Sequence, residues 1–146
     1  MQFAIDTNVL SALWSMEAGA NRAQPLLYVA RQAGNLVVCG PVYAELIAYP
    51  GATVEFVDRF LCTTDIAVDV DLDRDLWQNA GERFAEYAVR RRESGGDTPR
   101  RVLADFVIGA HAASRTNGLI SFNGVDYPNT FPKLRVISDS TEFERA

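Results

Sequence analysis

Three acids stand in this chain where a carboxylate can do chemistry: Asp6, Glu45 and Asp105. Asp6 ends the short apolar run Phe3-Ala4-Ile5 and opens an amphipathic segment with Val9, Leu10, Leu13 and Trp14 at helical spacing. That order is how a buried parallel strand passes into a helix, which places Asp6 at a strand's carboxyl end. Glu45 falls about one turn into a helix that Gly40-Pro41 should start, and Asp105 opens a segment that is apolar nearly all round. An unpaired charge in such a buried helix is costly, so something must compensate it. Carboxylates converging in an apolar setting repel one another and require a hard cation, and an oxygen-only set favours Mg2+ or Mn2+ over zinc. One histidine and no metal-ligating cysteine pattern argue against a zinc hydrolase.

Each acid also has a plainer account: Asp6 as a helix cap, Glu45 as an exposed helix charge, Asp105 as a partner of Arg101 or Arg115. What favours the joint reading is the elements that carry them. Strands are expected at 2–5, 36–39, 66–68, 119–121 and 134–137, each short and mostly apolar throughout, as parallel strands covered on both faces are. Between them, helices are expected from Thr7 (as amino-terminal cap), at 23–33, 40–48, 53–61, 72–93 and 101–115, with breakers at Gly34-Asn35, Tyr49-Pro50-Gly51, 94–99 and Asn117-Gly118. Small residues at Gly109, Ala110, Ala112 and Ala113 leave room for close approach to the sheet. Alternating strands and helices without repeats give a parallel sheet wrapped by helices, in one domain spanning 1–146. All three acids then meet at one sheet edge, the edge where open α/β sheets bind ligands. The polar residues at the end read as a frayed tail.

Charge is uneven. The formal net charge is −5, yet five aspartates lie between Asp65 and Asp75, and five arginines lie between Arg90 and Arg101. The aspartates suit the start of the long helix, and the arginines suit its end, a solvated face or a phosphate contact. No apolar run reaches the ~20 residues needed to span a bilayer, and the first residues lack a signal-peptide pattern. A cytoplasmic protein with no membrane contact is expected. Cys39 and Cys62 read as buried small hydrophobes rather than a disulfide or metal pair.

The strings Asp6-Thr7-Asn8-Val9-Leu10, Glu45-Leu46-Ile47-Ala48, Ala104-Asp105-Phe106-Val107-Ile108-Gly109-Ala110-His111-Ala112 and Phe131-Pro132-Lys133-Leu134-Arg135-Val136-Ile137 resemble, in this order, the motifs of PIN-domain ribonucleases. The resemblance is greatest to the VapC-type toxins of bacterial toxin–antitoxin pairs. It implies a three-layer α/β/α fold with a short, central, mainly parallel five-stranded sheet. It further implies a Mg2+ or Mn2+ site at Asp6, Glu45 and Asp105, endonucleolytic cleavage of RNA, and a small antitoxin partner. Bound metal would activate a water for in-line attack on a phosphodiester, with no protein nucleophile.

One position departs from the pattern. Similar proteins carry a fourth acid two residues beyond a Ser or Thr; here Ser121 supplies the hydroxyl but Asn123 follows. Asn123 is a candidate neutral ligand, and Asp126, beyond the Asn123-Gly124 turn, a weaker one. Thr7, Ser121, Arg100 and Arg101 are candidate substrate contacts, and His111 reads as packing rather than as a base. Val54, Phe56, Val57 and Phe60 exceed one helix stripe, which suggests a groove for an antitoxin segment and a homodimer. Two other readings remain. One is an RNA-binding or sequestering module with catalysis weakened at Asn123. The other is a small-molecule phosphohydrolase, although Asp6-Thr7-Asn8 lacks the second acid of an Asp-x-Asp nucleophile.

Overall fold

Five short strands form the centre of the molecule: β1 (Gln2–Ile5), β2 (Asn35–Cys39), β3 (Ile66–Asp69), β4 (Leu119–Ile120) and β5 (Val136–Ile137). The computed structural model describes residues 1–15, 18–95, 102–124 and 127–143. The strands lie in the order β3-β2-β1-β4-β5, and every neighbouring pair is parallel, as the apolar runs predict. In β1 and β2, Phe3, Ala4, Ile5 and 36–39 are all buried, which leaves neither face to water. The edge strand β3 differs, since Ala67 and Val68 are exposed and only Ile66 joins the core.

The helices among the described residues are α1 (Thr7–Trp14), α2 (Ala18–Ala33), α3 (Gly40–Ile47), α4 (Val54–Thr63), α5 (Arg74–Glu93), α6 (Leu103–Arg115) and α7 (Tyr127–Thr130), followed by a 3₁₀ turn at Ser140–Phe143. The chain steps outward from β1 to β2 and β3, then crosses back to β4 and β5 on β1's other side. Right-handed crossovers in opposite directions put helices on both faces, giving three layers. α6 packs on β1, β4 and α5. The order reverses at β1, so the carboxyl end of β1 is the switch point of the sheet, where a crevice forms.

Several local expectations are corrected. The α1 cap is Asp6, whose side chain accepts the Thr7 N–H, while Thr7 is the first helical residue. α2 begins at Ala18 and contains Pro25, because its polar first turns carry no apolar stripe to reveal them. Asp69 ends β3 instead of opening a helix; Asp73 caps α5 through the Leu76 N–H, and Asp75 lies in its first turn. Cys62 is exposed, since α4 needs only Val57 and Leu61 for its inner face; Cys39 is buried as expected, and both thiols are free. Gly109 meets Phe131 rather than the sheet: a Cβ there would lie 2.3 Å from the Phe131 ring. The stretch after β5 is held as far as Phe143, whose ring stands edge-on to Phe3 at 5.2 Å, and the Arg135 guanidinium donates to the Glu142 carbonyl at 2.8 Å.

The four apolar residues of α4 also separate. Val57 is fully buried, while Phe56 and Phe60 pack edge-on against Trp14 of α1 at 5.2 and 5.1 Å. Val54 and Phe56 remain 45% exposed. An open apolar cleft of about 370 Å³ lies between α1, α2 and α4, lined by Leu13, Leu27, Tyr28, Phe60 and Ile66 among others; of the four α4 residues, Phe60 lines it and Val54, Phe56 and Val57 do not.

Candidate active site

At the end of β1 the chain leaves the sheet with the Asp6 N–H paired to the Ile120 carbonyl of β4, and the Asp6 side chain turns into the crevice nearly buried, at 5% exposure. Its Oδ1 accepts the Thr7 N–H at 2.8 Å. Its Oδ2 accepts from the Ser121 hydroxyl at 2.8 Å, the Tyr127 hydroxyl at 3.0 Å and the Asn8 amide at 3.4 Å. All of these donors are neutral. Burial pushes the Asp6 carboxyl up, the Ser121, Tyr127 and Thr7 donors pull it down, and the charge of Asp105 pushes it up again; the net direction is above the usual carboxylate value.

Glu45 extends from α3 on the outer side of the crevice, where it is exposed and accepts the Thr7 hydroxyl at 2.7 Å. Thr7 thus touches both acids, one through its amide and one through its hydroxyl. Glu45 is also held above its usual value, first because the crevice wall withdraws part of its carboxylate from water although the residue as a whole is exposed, and then by the charges of Asp6 and Asp105. Asp105 sits in the first turn of α6, half-buried. Val102, the cap residue, has no side-chain acceptor, and the Asp105 carboxylate accepts the Val102 N–H at 3.3 Å. The same negative field reaches Cys39 at the end of β2: burial, with smaller contributions from Asp6 and Glu45, pushes its thiol up to about 12.

The three acids therefore share one electrostatic environment at the switch point. They do not stand as a closed cage: among the described residues no group of three or more His, Cys, Asp or Glu side chains is arranged to hold a metal ion. The charges of Asp6, Glu45 and Asp105 repel one another across the crevice, a repulsion that a cation would relieve, and Glu45 is turned toward the Thr7 hydroxyl. The donor set itself is oxygen-only and anionic, which suits a hard divalent cation.

Ser121 joins the site through Asp6, and its hydroxyl also accepts the Asn123 N–H at 3.0 Å. Asn123 is exposed, and its backbone N–H, rather than its amide group, makes this contact. Asp126, Arg100 and Arg101 lie outside the described residues. His111 is buried away from this crevice, its Nε2 3.0 Å from Asp69 Oδ2. Two site residues were missed in the sequence. Asn8 bonds Asp6 and Ser121 with its amide nitrogen and accepts the Phe122 N–H with its oxygen at 3.1 Å; its place two residues after Asp6, on the first turn of α1, was the available signal. Tyr127 had none.

A parallel sheet ordered 3-2-1-4-5 with an acid at its switch point defines the class, and a family model makes it specific: the PIN domain model matches residues 3–127, and the chain belongs to that family. Among solved structures, VapBC-1 from nontypeable Haemophilus influenzae is 24% identical, with a TM-score of 0.64, covering 97% of this chain and 99% of that one. VapC20 of Mycobacterium tuberculosis, described as a sarcin-ricin loop cleaving toxin, is 18% identical at a TM-score of 0.64, with 88% and 95% covered. VapBC2 from Rickettsia felis, bound to a DNA fragment from its promoter, is 15% identical at 0.60, with 94% and 98% covered. No curated protein matches the chain. Among the described residues no helix is long and apolar enough to cross a membrane.

Proposed function

We propose that this PIN domain is a metal-dependent endoribonuclease of the VapC type, the toxin of a toxin–antitoxin pair, using Mg2+ or Mn2+ held by Asp6, Glu45 and Asp105. The observation that carries this reading is Asp6: a nearly buried carboxylate at the switch point, surrounded by neutral donors and by the charge of a second acid. Such an arrangement is destabilising for the protein alone and is relieved by a cation. When bound, a divalent ion supplies an acidified water and neutralises the charge that builds on a phosphodiester under in-line attack. Asp6 and Asp105, fixed by hydrogen bonds to backbone and side chains, provide the rigid part of the binding set. Glu45 provides the adjustable part, since it is exposed and leaves Thr7 by a side-chain rotation. Ser121 and Asn8 keep the loop after β4 beside Asp6, so RNA meets a preformed floor.

The similarity to VapBC complexes supports a small antitoxin as partner. The apolar cleft between α1, α2 and α4, with Arg31 at its rim, is the seat we assign to an apolar segment of that partner, in the manner of helix-in-groove recognition. The exposed Asn123, standing where an acid is expected, favours one second reading: an RNA-binding module with weakened catalysis.

Purified protein incubated with a structured RNA and Mn2+ should cleave it, and EDTA should stop cleavage. Asp6→Asn and Asp105→Asn should each reduce the rate by more than the ~10–100-fold that loss of an outer-shell partner costs. Undiminished cleavage in EDTA would overturn the metal mechanism, and RNA binding without cleavage under every metal condition would favour the binding module.

A further inference from the structure

Tyr127 is 1% exposed, and its ring belongs to the hydrophobic core. Burying a hydroxyl is unfavourable unless it is bonded, so the oxygen must be accounted for separately from the ring. It donates to Asp6 Oδ2 at 3.0 Å, across 121 positions of sequence.

The turn that carries it is firmly held. Within α7 the Phe131 N–H closes on the Tyr127 carbonyl at 2.8 Å. The Phe131 ring occupies the place a side chain would take at Gly109 of α6, one turn beyond Asp105. The tyrosine hydroxyl is thereby referenced to the same helix that positions the third acid.

The donors on Asp6 are also distributed unequally. Oδ2 receives Ser121, Tyr127 and Asn8, which uses up its accepting capacity, whereas among the described residues Oδ1 receives only the Thr7 amide and keeps a lone pair. We infer that Tyr127 is a positioning residue that, with Ser121, locks Asp6 Oδ2 into the protein so that Oδ1 alone is presented to a divalent cation. This rests on the functional reading above and adds to it which oxygen of Asp6 binds and which residue holds it there. Outer-shell donors of this kind orient a ligand, and their loss weakens metal binding by about 10–100-fold.

The test is Tyr127→Phe, with Mn2+ affinity measured by calorimetry and cleavage measured across a Mn2+ titration. The expected result is Mn2+ binding weakened about tenfold, a melting temperature in EDTA close to that of the wild type, and a cleavage rate that returns toward the wild-type value at saturating Mn2+. Ser121→Ala removes the other hydroxyl from Oδ2 and should shift Mn2+ affinity in the same direction, which keeps the test open if Tyr127→Phe folds poorly. Wild-type Mn2+ affinity in both variants would overturn the lock while leaving the metal site standing. Absence of Mn2+ binding to the wild-type protein would overturn both the lock and the nuclease reading.

Discussion

Asp6 follows β1 and Asp69 ends β3, so both carboxylates stand at the carboxyl end of one parallel sheet, yet their surroundings push them in opposite directions. Burial raises both. At Asp69 the Arg115 guanidinium at 2.9 Å and His111 at 3.0 Å more than offset it, and the carboxyl lies below its usual value. Arg115 also bonds the Asp71 carbonyl at 2.7 Å and reaches Asp73 at 3.7 Å, so one cation ties the end of β3 to the start of α5. At Asp6 no cationic side chain among the described residues forms an ion pair, and the carboxyl lies above its usual value. The protein supplies its own counter-charge where an acid is structural. Where it does not, the acid is available to a cation from solution.

The largest expected effect that tests this contrast is on stability. Asp69→Asn keeps the shape but loses two charge-assisted partners, and should cost about 1–2 kcal/mol. Asp6→Asn should leave stability unchanged or raise it, for a reason visible in the hydrogen bonds. The Thr7 amide can only donate, so the new side chain keeps its oxygen there. The Tyr127 hydroxyl can turn round to accept from its nitrogen; Ser121, which already accepts from Asn8 and Asn123, and the Asn8 amide lose their bonds to that atom, a cost offset by removing a buried charge that Asp105 repels. Thermal denaturation of both variants in EDTA checks the pair, and an Asp6→Asn loss as large as that of Asp69→Asn would erase the distinction between the two acids.

A smaller effect is expected in the pH dependence of stability. His111 is 1% exposed, and with Nε2 on Asp69 its Nδ1 has no hydrogen-bond partner among the described residues. A second proton would sit on a buried atom with nothing to receive it. Burial accordingly lowers the His111 value; Asp69 pulls it up, Arg115 pushes it down, and the net direction is below its ordinary 6.5. A folded value below the unfolded one means the unfolded chain binds the extra proton first, so stability is full above 6.5 and is lost as pH falls through the folded value. Asp69, also depressed, adds a second loss of the same sign below its ordinary 3.8. Because Asp69 partly offsets the burial of His111, the upper step should be modest. His111→Gln keeps a donor toward Asp69 without titrating, and melting curves should show the upper step vanish and the lower one persist. An unchanged upper step would mean another group carries it.

How far the sequence reveals such contrasts depends on the range of the interaction. The strands were legible within one or two residues because each is a short continuous apolar run, and the all-parallel sheet followed from their alternation with helices. Asp6 and Asp105 were legible as candidates because each marks a local change of element, and Glu45 because it lies early on the helix that follows β2. The partners were not. Asp69 read as part of a helix start because its acidic neighbours do serve that role, and only the fold brings Arg115 across 46 positions to it. Tyr127 lies in Tyr-Pro-Asn-Thr, a four-residue helix with no periodicity to detect. Thr7 was assigned a capping role that belongs to Asp6, since either side chain can cap and only the backbone geometry decides.

The smallest effect concerns Asn123, which tests whether the site lacks an acid or has no place for one. Asn123 is exposed and tied to Ser121 only through its backbone N–H, so its side chain can turn toward Asp6 without breaking that bond. Asn123→Asp would add a negative charge beside the proposed cation site, in a solvated position where a single charge interaction is worth ~1 kcal/mol, or about a fivefold change in affinity. The gain should be seen for both Mn2+ and Mg2+, with Mn2+ still favoured because Mg2+ gives up its waters more reluctantly. Asp126→Ala, beyond the turn, should change little. Calorimetric titration of the two variants decides between these seats. Tighter binding only on altering position 123 assigns the fourth seat there. A loss confined to Asp126→Ala would instead assign that seat to Asp126 and leave Asn123 as a turn residue.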